Sequence, residues 1–306
     1  MIALLCTKPG IRRVVQPTSA RSMARASGID PIGDDMKRYE AQTGAQVDVK
    51  FPVVVRLDGH RFSKYTRGFA RPYDMRIHEA MVGTAVDLIE RFQAVTAYTE
   101  SDEISLVFAP HADDSPSALP FKGRVQKLVS VFAGYASARF NLHMVRASYD
   151  NADPAERALQ KRVELCEAHF DARAFNVPSL DELCSYLRWR AVLDCRRNSV
   201  SMLAQAHFSH DELQGVSAAT CLEMLERKGV RWDETPPFFR YGTYVKKSEY
   251  TKTAFNPVQQ QSVVARRTRS EARSFALTRE VAASFALAKL WPPEELSSST
   301  HRRGPN

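Results

Sequence analysis

Two stretches constrain this chain more than any others. FPVVVRLDGHRFSKYTRGFARPYD, from Phe51 to Asp74, opens on a short apolar run that ends at an acid and a glycine. TAYTESDEISLVF, from Thr96 to Phe108, is two apolar runs around an acidic turn. The first run is valine-rich and too short for a helix, so it reads as a buried strand over Pro52–Leu57 stopping at Asp58-Gly59. The second reads as strands Val95–Tyr98 and Ile104–Phe108 folded about Thr99–Glu103, a turn that carries Asp102 and Glu103. A strand end and an adjacent hairpin turn can bring carboxylates to one point. A hard cation with phosphate on its other side is the usual occupant of such a point.

The stretches between and after them supply the frame. Met81, Val82, Ala85, Leu88, Ile89 and Phe92 recur at helical spacing within Asp74–Phe92, with Asp74 as N-cap after Pro72. Gly123–Arg146 repeats the pattern through Val125, Leu128, Val129, Phe132, Ala136 and Phe140, and Phe170–Val177 reads as a strand. The order strand, helix, strand, strand, helix, strand is the split βαβ, ferredoxin-like arrangement of an α+β protein. It sets the first and third strands side by side in an antiparallel sheet, with helices behind and the carboxylates on the open face or rim. The second half reads as more helical: Asp181–Leu203, Ser217–Lys228 closed by Gly229, and Glu280–Leu290, with a strand over Phe238–Lys246. Residues 248–275 are polar and basic.

A formal charge of +8 suits a polyanionic partner, nucleic acid first, although basic enzymes that bind only small anions share it. No apolar run approaches the roughly 20 residues of a membrane span, so no membrane partner is expected. Cys6, Cys166, Cys184, Cys195 and Cys221 form no Cys-x-x-Cys pair and read as reduced thiols. Residues 1–28 hold Lys8, Arg12, Arg13, Arg21 and Arg25 and no acid, the composition of an organelle transit segment or of a disordered tail.

Asp58 and Asp102 are the candidate metal ligands, with the Gly59 carbonyl beside them. Glu103 alternates away from Asp102 and is either a supporting group or a surface carboxylate. His60, Arg61, Lys64, Arg67, Arg71, Arg124 and Lys127 surround them with the cations that a triphosphate needs. Spacing alone leaves open a second reading, in which the same acids and bases are a solvated strand end and turn. His207, His210 and Asp211 divide in the same way between a metal or base site and a helix start capped by Ser209 or Asp211. Trp189 and its helix read as core, and Arg266, Arg267, Arg269 and Arg273 as either an RNA grip or a solvated face.

VVRLDGHRF with FARPYD, TESDEISLVF, FKGRVQKLVSVFAGYASARFN, FDARAF and YLRWRAVLDCRRNSVSM, in this order, resemble the tRNA(His) guanylyltransferase superfamily over roughly residues 34–275. The likeness is nearer to its Thg1-like branch of 3′–5′ RNA polymerases. It implies a polymerase- or cyclase-type palm with two Mg²⁺ ions, ATP and GTP as substrates, tRNA as partner, and a homotetramer. Matched residue by residue, Asp58, Gly59 and Asp102 take the metal positions, and Glu103 the second acid of the hairpin. His60, Arg61 and Phe62 match the loop whose backbone wraps the triphosphate, and Arg71 a lysine near the phosphates. Ser101, Arg124 and Lys127 match triphosphate-side positions, and Arg173 a strand arginine of the activation step.

Eukaryotic guanylyltransferases carry His-Ile-Asn-Asn-Leu-Tyr-Asn after the Asp-Cys pair, where Asp194-Cys195 here precedes Arg196, Arg197, Asn198, Ser199, Val200, Ser201 and Met202. Only Asn198 is kept, which favours templated addition to truncated tRNA over untemplated guanylate addition. A nucleotidyl cyclase and a non-catalytic tRNA-binding protein are the alternatives on the same palm. The expected divisions are a basic extension over 1–33, a palm over 34–180, a helical RNA-contacting part over 181–275, and a short helix and tail over 276–306. A cytoplasmic location is expected, and the basic N-terminus allows a mitochondrial one.

Overall fold

The computed structural model describes residues 31–111, 119–256 and 260–292; the expectations for the N-terminal extension and for the tail beyond Pro292 lie outside them. Six strands form one fully antiparallel sheet: β1 Val53–Gly59, β2 Thr96–Glu100, β3 Glu103–Phe108, β4 Phe170–Asn176, β5 Thr243–Asn256 and β6 Gln261–Arg273. Their order is β4-β1-β3-β2-β5-β6. The first four strands with two helices make the ferredoxin-like frame, β1 beside β3 as the pattern implies. The helices, in chain order, are α1 Pro31–Glu40, α2 Phe62–Tyr65, α3 Met75–Phe92, α4 Val125–Arg146, α5 Pro154–Val163, α6 Leu180–Arg188, α7 Cys195–His207, α8 His210–Leu213, α9 Ala218–Arg227, α10 Pro237–Tyr241 and α11 Arg279–Phe285.

The valine run of β1 is continuous because both faces of the sheet are covered. Val53, Val55 and Leu57 join Met81, Leu88, Ile89, Leu128, Phe132 and Phe140 in a core under α3 and α4. Val54 faces the other way, with Tyr98, Val107, Leu183, Leu187, Tyr244 and Phe285. The face expected to be open is therefore closed over part of its length by α6 and α11. Lys246 pins α11 to the sheet: its buried ammonium donates to Val95 O (2.7 Å), Thr96 Oγ1 (2.8 Å) and Phe285 O (2.9 Å). α3 begins as read, with the Asp74 carboxylate accepting from the Arg76 amide, and stops where Gln93 turns left-handed.

Several expectations change. The helix read over Asp181–Leu203 is α6 and α7 joined by a π-helical segment, Trp189–Asp194. Trp189, read as core, is 45% exposed, whereas Arg190 is 4% exposed. Leu183, Leu187, Arg190 and Ala191 lie on the inward stripe at helical spacing, and Trp189 falls beside it. The strand read over Phe238–Lys246 starts only at Thr243. Pro236 and Pro237 open a helical turn that Gly242 ends at φ +68°. The polar, basic stretch 248–275 is mostly strand. β5 pairs with β2 only over Thr243–Val245, and beyond that β5 and β6 continue as a two-stranded arm to Asn256 and Gln261. Its outer part, residues 249–255 and 260–269, is mostly exposed and carries no apolar alternation. Of the His207–Asp211 cluster, Ser209 forms a capping box with Glu212 and both histidines are exposed, so that stretch is a helix start.

Candidate active site

The hairpin turn is tighter than its sequence suggests. β2 runs to Glu100 and β3 starts at Glu103, leaving a two-residue turn in which Ser101 takes φ +50°. The Gly59 amide donates to Asp102 O (3.0 Å), tying the turn to the end of β1. Gly59 is required there, since a Cβ would stand 2.3 Å from Cδ2 of Phe62. Two consequences follow. Asp58 and Asp102 are held side by side, and Glu103 enters the ladder directly opposite Asp58.

Cross-strand pairing extends this contact into a row. Asp171 of β4 lies opposite Asp58, and Glu100 of β2 lies opposite Glu103. Each of four adjacent strands, β4, β1, β3 and β2, thus contributes one acid: Asp171, Asp58, Glu103, Glu100. Like charges directly opposite one another repel, so such a row needs cations. Arg56 supplies one, donating to Asp58 Oδ2 at 3.1 Å and reaching 3.7 Å from Glu103 Oε2. Arg190 supplies the other. Its buried guanidinium bonds to Glu103 and Asp194 and lies 3.7 Å from Glu100 Oε1. Asn198 Nδ2 donates to Glu100 Oε1 (3.2 Å). Glu103, read as a supporting or surface acid, is a paired and mostly buried one.

The electrostatics follow the burial. Desolvation first, then the charge of Glu103, pushes the Glu100 carboxyl up to about 8. Desolvation also raises Glu103, with Arg190 and Arg56 opposing it. Asp102 is raised chiefly by burial, with the charge of Asp58 adding to it and its own amide and the Ser101 hydroxyl opposing. Ser101 Oγ donates to Asp102 Oδ1 (3.1 Å).

Beside Asp102 opens a cavity of about 370 Å³, within the size range of small-molecule sites. Phe62, Phe69, Ile77, Met81, Phe238 and Phe239 give it apolar walls, and Ser101, Asp102 and Arg71 stand at its polar end. Phe62 is buried against Tyr65, Phe140 and Phe170, so the wall it gives the cavity is part of the core. The His60 amide is committed to His169 O (2.9 Å). Among the described residues no acceptor takes the amides of Arg61 or Phe62. Arg173 is exposed and lies opposite Arg56, one pair along from Asp58 on the same face.

Two of the expected residues are not brought to this point. Arg124 and Lys127 begin α4 at the other end of the sheet: Val125 N donates to Ala45 O, Val47 N to Gly123 O, and Asp48 N to Asn176 Oδ1 opposite Val53. Asp58 is five residues further along β1, roughly 16 Å away. α4 approaches the acids with its C-terminal half, where Phe140 packs on Phe62. Sequence reading also missed Glu100, Asp171 and Arg190. The only available signals were the i, i+4 spacing of Arg190 and Asp194 and the outward alternation along β4.

A family model described as Thg1, tRNA(His) guanylyltransferase, matches residues 33–178. An uncharacterized protein of Acanthamoeba polyphaga mimivirus is 35% identical over 226 residues, which cover 71% of this chain and 77% of that one. The tRNA(His) guanylyltransferase of Neurospora crassa is 29% identical over 207 residues, 63% of this chain and 65% of its own. Among solved structures, a bacterial tRNA(His) guanylyltransferase (Thg1)-like protein in complex with ATP superposes with a TM-score of 0.65 at 30% identity, over 83% of this chain and 98% of that one. The bacterial Thg1-like protein in complex with GTP gives 0.61 at 28% identity. A likeness that spans nearly the whole bacterial protein and takes in both the acidic hairpin and the strand that faces it places this chain in the tRNA(His) guanylyltransferase (Thg1) family of nucleotidyltransferases.

Proposed function

We propose that this protein adds nucleotides in the 3′–5′ direction to the 5′ end of tRNA, using ATP or GTP to activate that end. The observation that carries this reading is the joining of Asp58 and Asp102 through the Gly59 amide at the mouth of a nucleoside-sized cavity. The names of the relatives and the ATP and GTP bound to the bacterial proteins support it.

The donor set fits a magnesium ion. Both candidate ligands are hard oxygen donors, and the Asp58 charge acts on Asp102 with no basic side chain among the groups that offset it. No cluster of three or more His, Cys, Asp or Glu arranged around one metal occurs among the described residues. Asp58, Asp102 and the Gly59 carbonyl would therefore hold Mg²⁺ together with substrate oxygens, its usual mode. Bound there, Mg²⁺ lowers the pKa of an attacking hydroxyl and neutralises a leaving phosphate. The chain itself supplies positioning. The apolar walls of the cavity take a nucleobase, the free Arg61 and Phe62 amides and the Arg71 guanidinium hold phosphate oxygens, and Arg56 with Arg190 keeps the acid row from repelling the fold apart.

In the activation step an oxygen of the 5′-monophosphate attacks the α-phosphorus of ATP, and pyrophosphate leaves. In the addition step the 3′-hydroxyl of an incoming nucleoside triphosphate attacks the activated 5′ phosphorus, and AMP leaves. Asn198 and Ser199, from the run that differs from the eukaryotic motif, are turned to Glu100 and to the Trp232 indole (2.9 Å), while Arg196 and Arg197 are exposed. The difference from the eukaryotic motif, not these contacts, supports templated addition over a dedicated untemplated guanylylation. The test incubates 5′-labelled tRNA(His) lacking its first templated nucleotide with all four nucleoside triphosphates, ATP and Mg²⁺, beside full-length tRNA(His) and the Asp102→Ala variant. Extension that stops at the template end, and none with Asp102→Ala, is expected. Retained turnover in that variant refutes the assignment of the acids, and one guanylate added regardless of pairing refutes the templated reading.

A further inference from the structure

The loop that leaves Gly59 has two sides. Phe62, Ser63 and Thr66 line the cavity beside Asp102, whereas His60, Arg61, Lys64 and Tyr65 line a second, larger one of about 930 Å³. The back wall of the second cavity is the C-terminal half of α4, and its floor is the turn from α5 into β4. A one-turn helix, α2, divides the two cavities: its first two residues line the one and its last two the other.

The second cavity is cationic. Arg61, Lys64 and Arg162 reach it, with His60 and His169, against the single acid Glu167. Among the described residues neither the Arg61 nor the Lys64 side chain has a hydrogen-bond or ion-pair partner. Arg162 is anchored on Tyr65 O (2.9 Å) and Arg67 O (2.6 Å). The histidines follow a fixed order. His169 Nδ1 lies 2.9 Å from Glu167 O, a carbonyl that can only accept, so that nitrogen carries the proton. His169 Nε2 then accepts from His60 Nδ1 at 2.8 Å, which fixes the pair at the rim of the cavity. Ala138, Leu142 and Val145 add an apolar wall suited to a base or sugar.

A nucleotidyl transfer joins two nucleotides and therefore needs two phosphate-bearing subsites around one set of acids. We infer that the cavity walled by α4, Lys64 and the His60–His169 pair is a second subsite, which takes a 5′-phosphorylated nucleotide while the first cavity holds another. This rests on the nucleotidyltransferase reading above. Two sources share the chemistry, the 5′ end of the RNA and a free nucleoside triphosphate.

Two variants test it. Lys64 and Ala138 are both exposed, so Lys64→Glu and Ala138→Trp reverse the charge and fill the space without entering the core. Calorimetric titration of the full chain uses a short 5′-monophosphorylated RNA, the same RNA with a 5′-hydroxyl, and ATP. If RNA is the source, the wild type prefers the phosphorylated RNA by about tenfold or more, each variant loses that preference, and ATP affinity stays within about twofold. If free nucleotide is the source, the wild type binds two ATP per chain and Ala138→Trp binds one. A preference and an ATP stoichiometry unchanged in both variants overturn the inference. A wild type that binds in these ways but extends no tRNA refutes the proposed reaction and leaves the subsite standing.

Discussion

Glu100 is where the structure makes its most exposed claim. The carboxyl sits 7% exposed on β2, opposite Glu103, and burial with that neighbour pushes it up to about 8 from an ordinary 4.5. In the unfolded chain the ordinary value returns. Between these values the folded protein keeps a proton that the unfolded chain releases. The stabilisation is fully present below the unfolded value and is lost as pH rises through the folded one. Integrated from pH 5 to pH 8, the loss is on the order of 3 kcal/mol. Asp102 and Glu103 are also raised and act in the same direction. Glutamine at position 100 carries no titrating proton and keeps an oxygen for Asn198, so Glu100→Gln removes the part of the slope that belongs to this residue. The assay is urea unfolding of both proteins in EDTA at pH 5, 6, 7 and 8. The two should lie within about 1 kcal/mol at pH 5, with the variant about 3 kcal/mol more stable than wild type at pH 8. Parallel curves across this range would refute the argument, because they would mean that Glu100 titrates alike in the folded and unfolded chains.

Other consequences follow from the same site. Arg190→Met strands Glu103 and Asp194 without their buried partner and should cost about 3–5 kcal/mol by urea unfolding; adding Glu103→Gln should return about 1–3 kcal/mol of it. Gly59→Ala drives a methyl into the Phe62 ring and should cost about 1–3 kcal/mol in thermal unfolding, with ATP binding weakened as the loop shifts. Arg124→Ala combined with Lys127→Ala, at the start of α4 beside the Val53 end of β1, roughly 16 Å along that strand from Asp58, should leave ATP affinity within about twofold by titration. A larger loss would mean that these side chains serve the acids of another chain.

The acid row gives this palm a mixed character. Asp58 and Asp102 stand at its open end, where a cation and phosphates can reach them. Glu103 and Glu100 lie deeper, neutralised by protein and not by solvent. The π-helical segment is what delivers Arg190 to them, since it joins α6 to α7 while keeping Arg190, Ala191 and Asp194 on the inner side. Local departures from regular helix often sit at functional sites, and here the departure carries the counter-charge.

What the sequence determined by itself is the part written in short-range patterns. A valine run ending on Asp58-Gly59, two amphipathic helices and an acidic hairpin specify the strand order and bring Asp58 near Asp102, because periodicity and turn chemistry act over a few residues. The motifs in order were enough for the family. What only the tertiary structure decided depends on partners far apart in the chain. Glu103 became a row-mate of Asp58 because the turn tightened by two residues at its start and one at its end, a choice set by the ladder with β1. Arg124 and Lys127 left the site because α4 runs towards the acids and presents its other end. Arg190 became the buried cation, and Trp189 the exposed ring, because the helix stripe was set by the sheet beneath it. The outer part of the β5–β6 arm carries no apolar alternation, since strand pairing, with its residues mostly exposed, defines it.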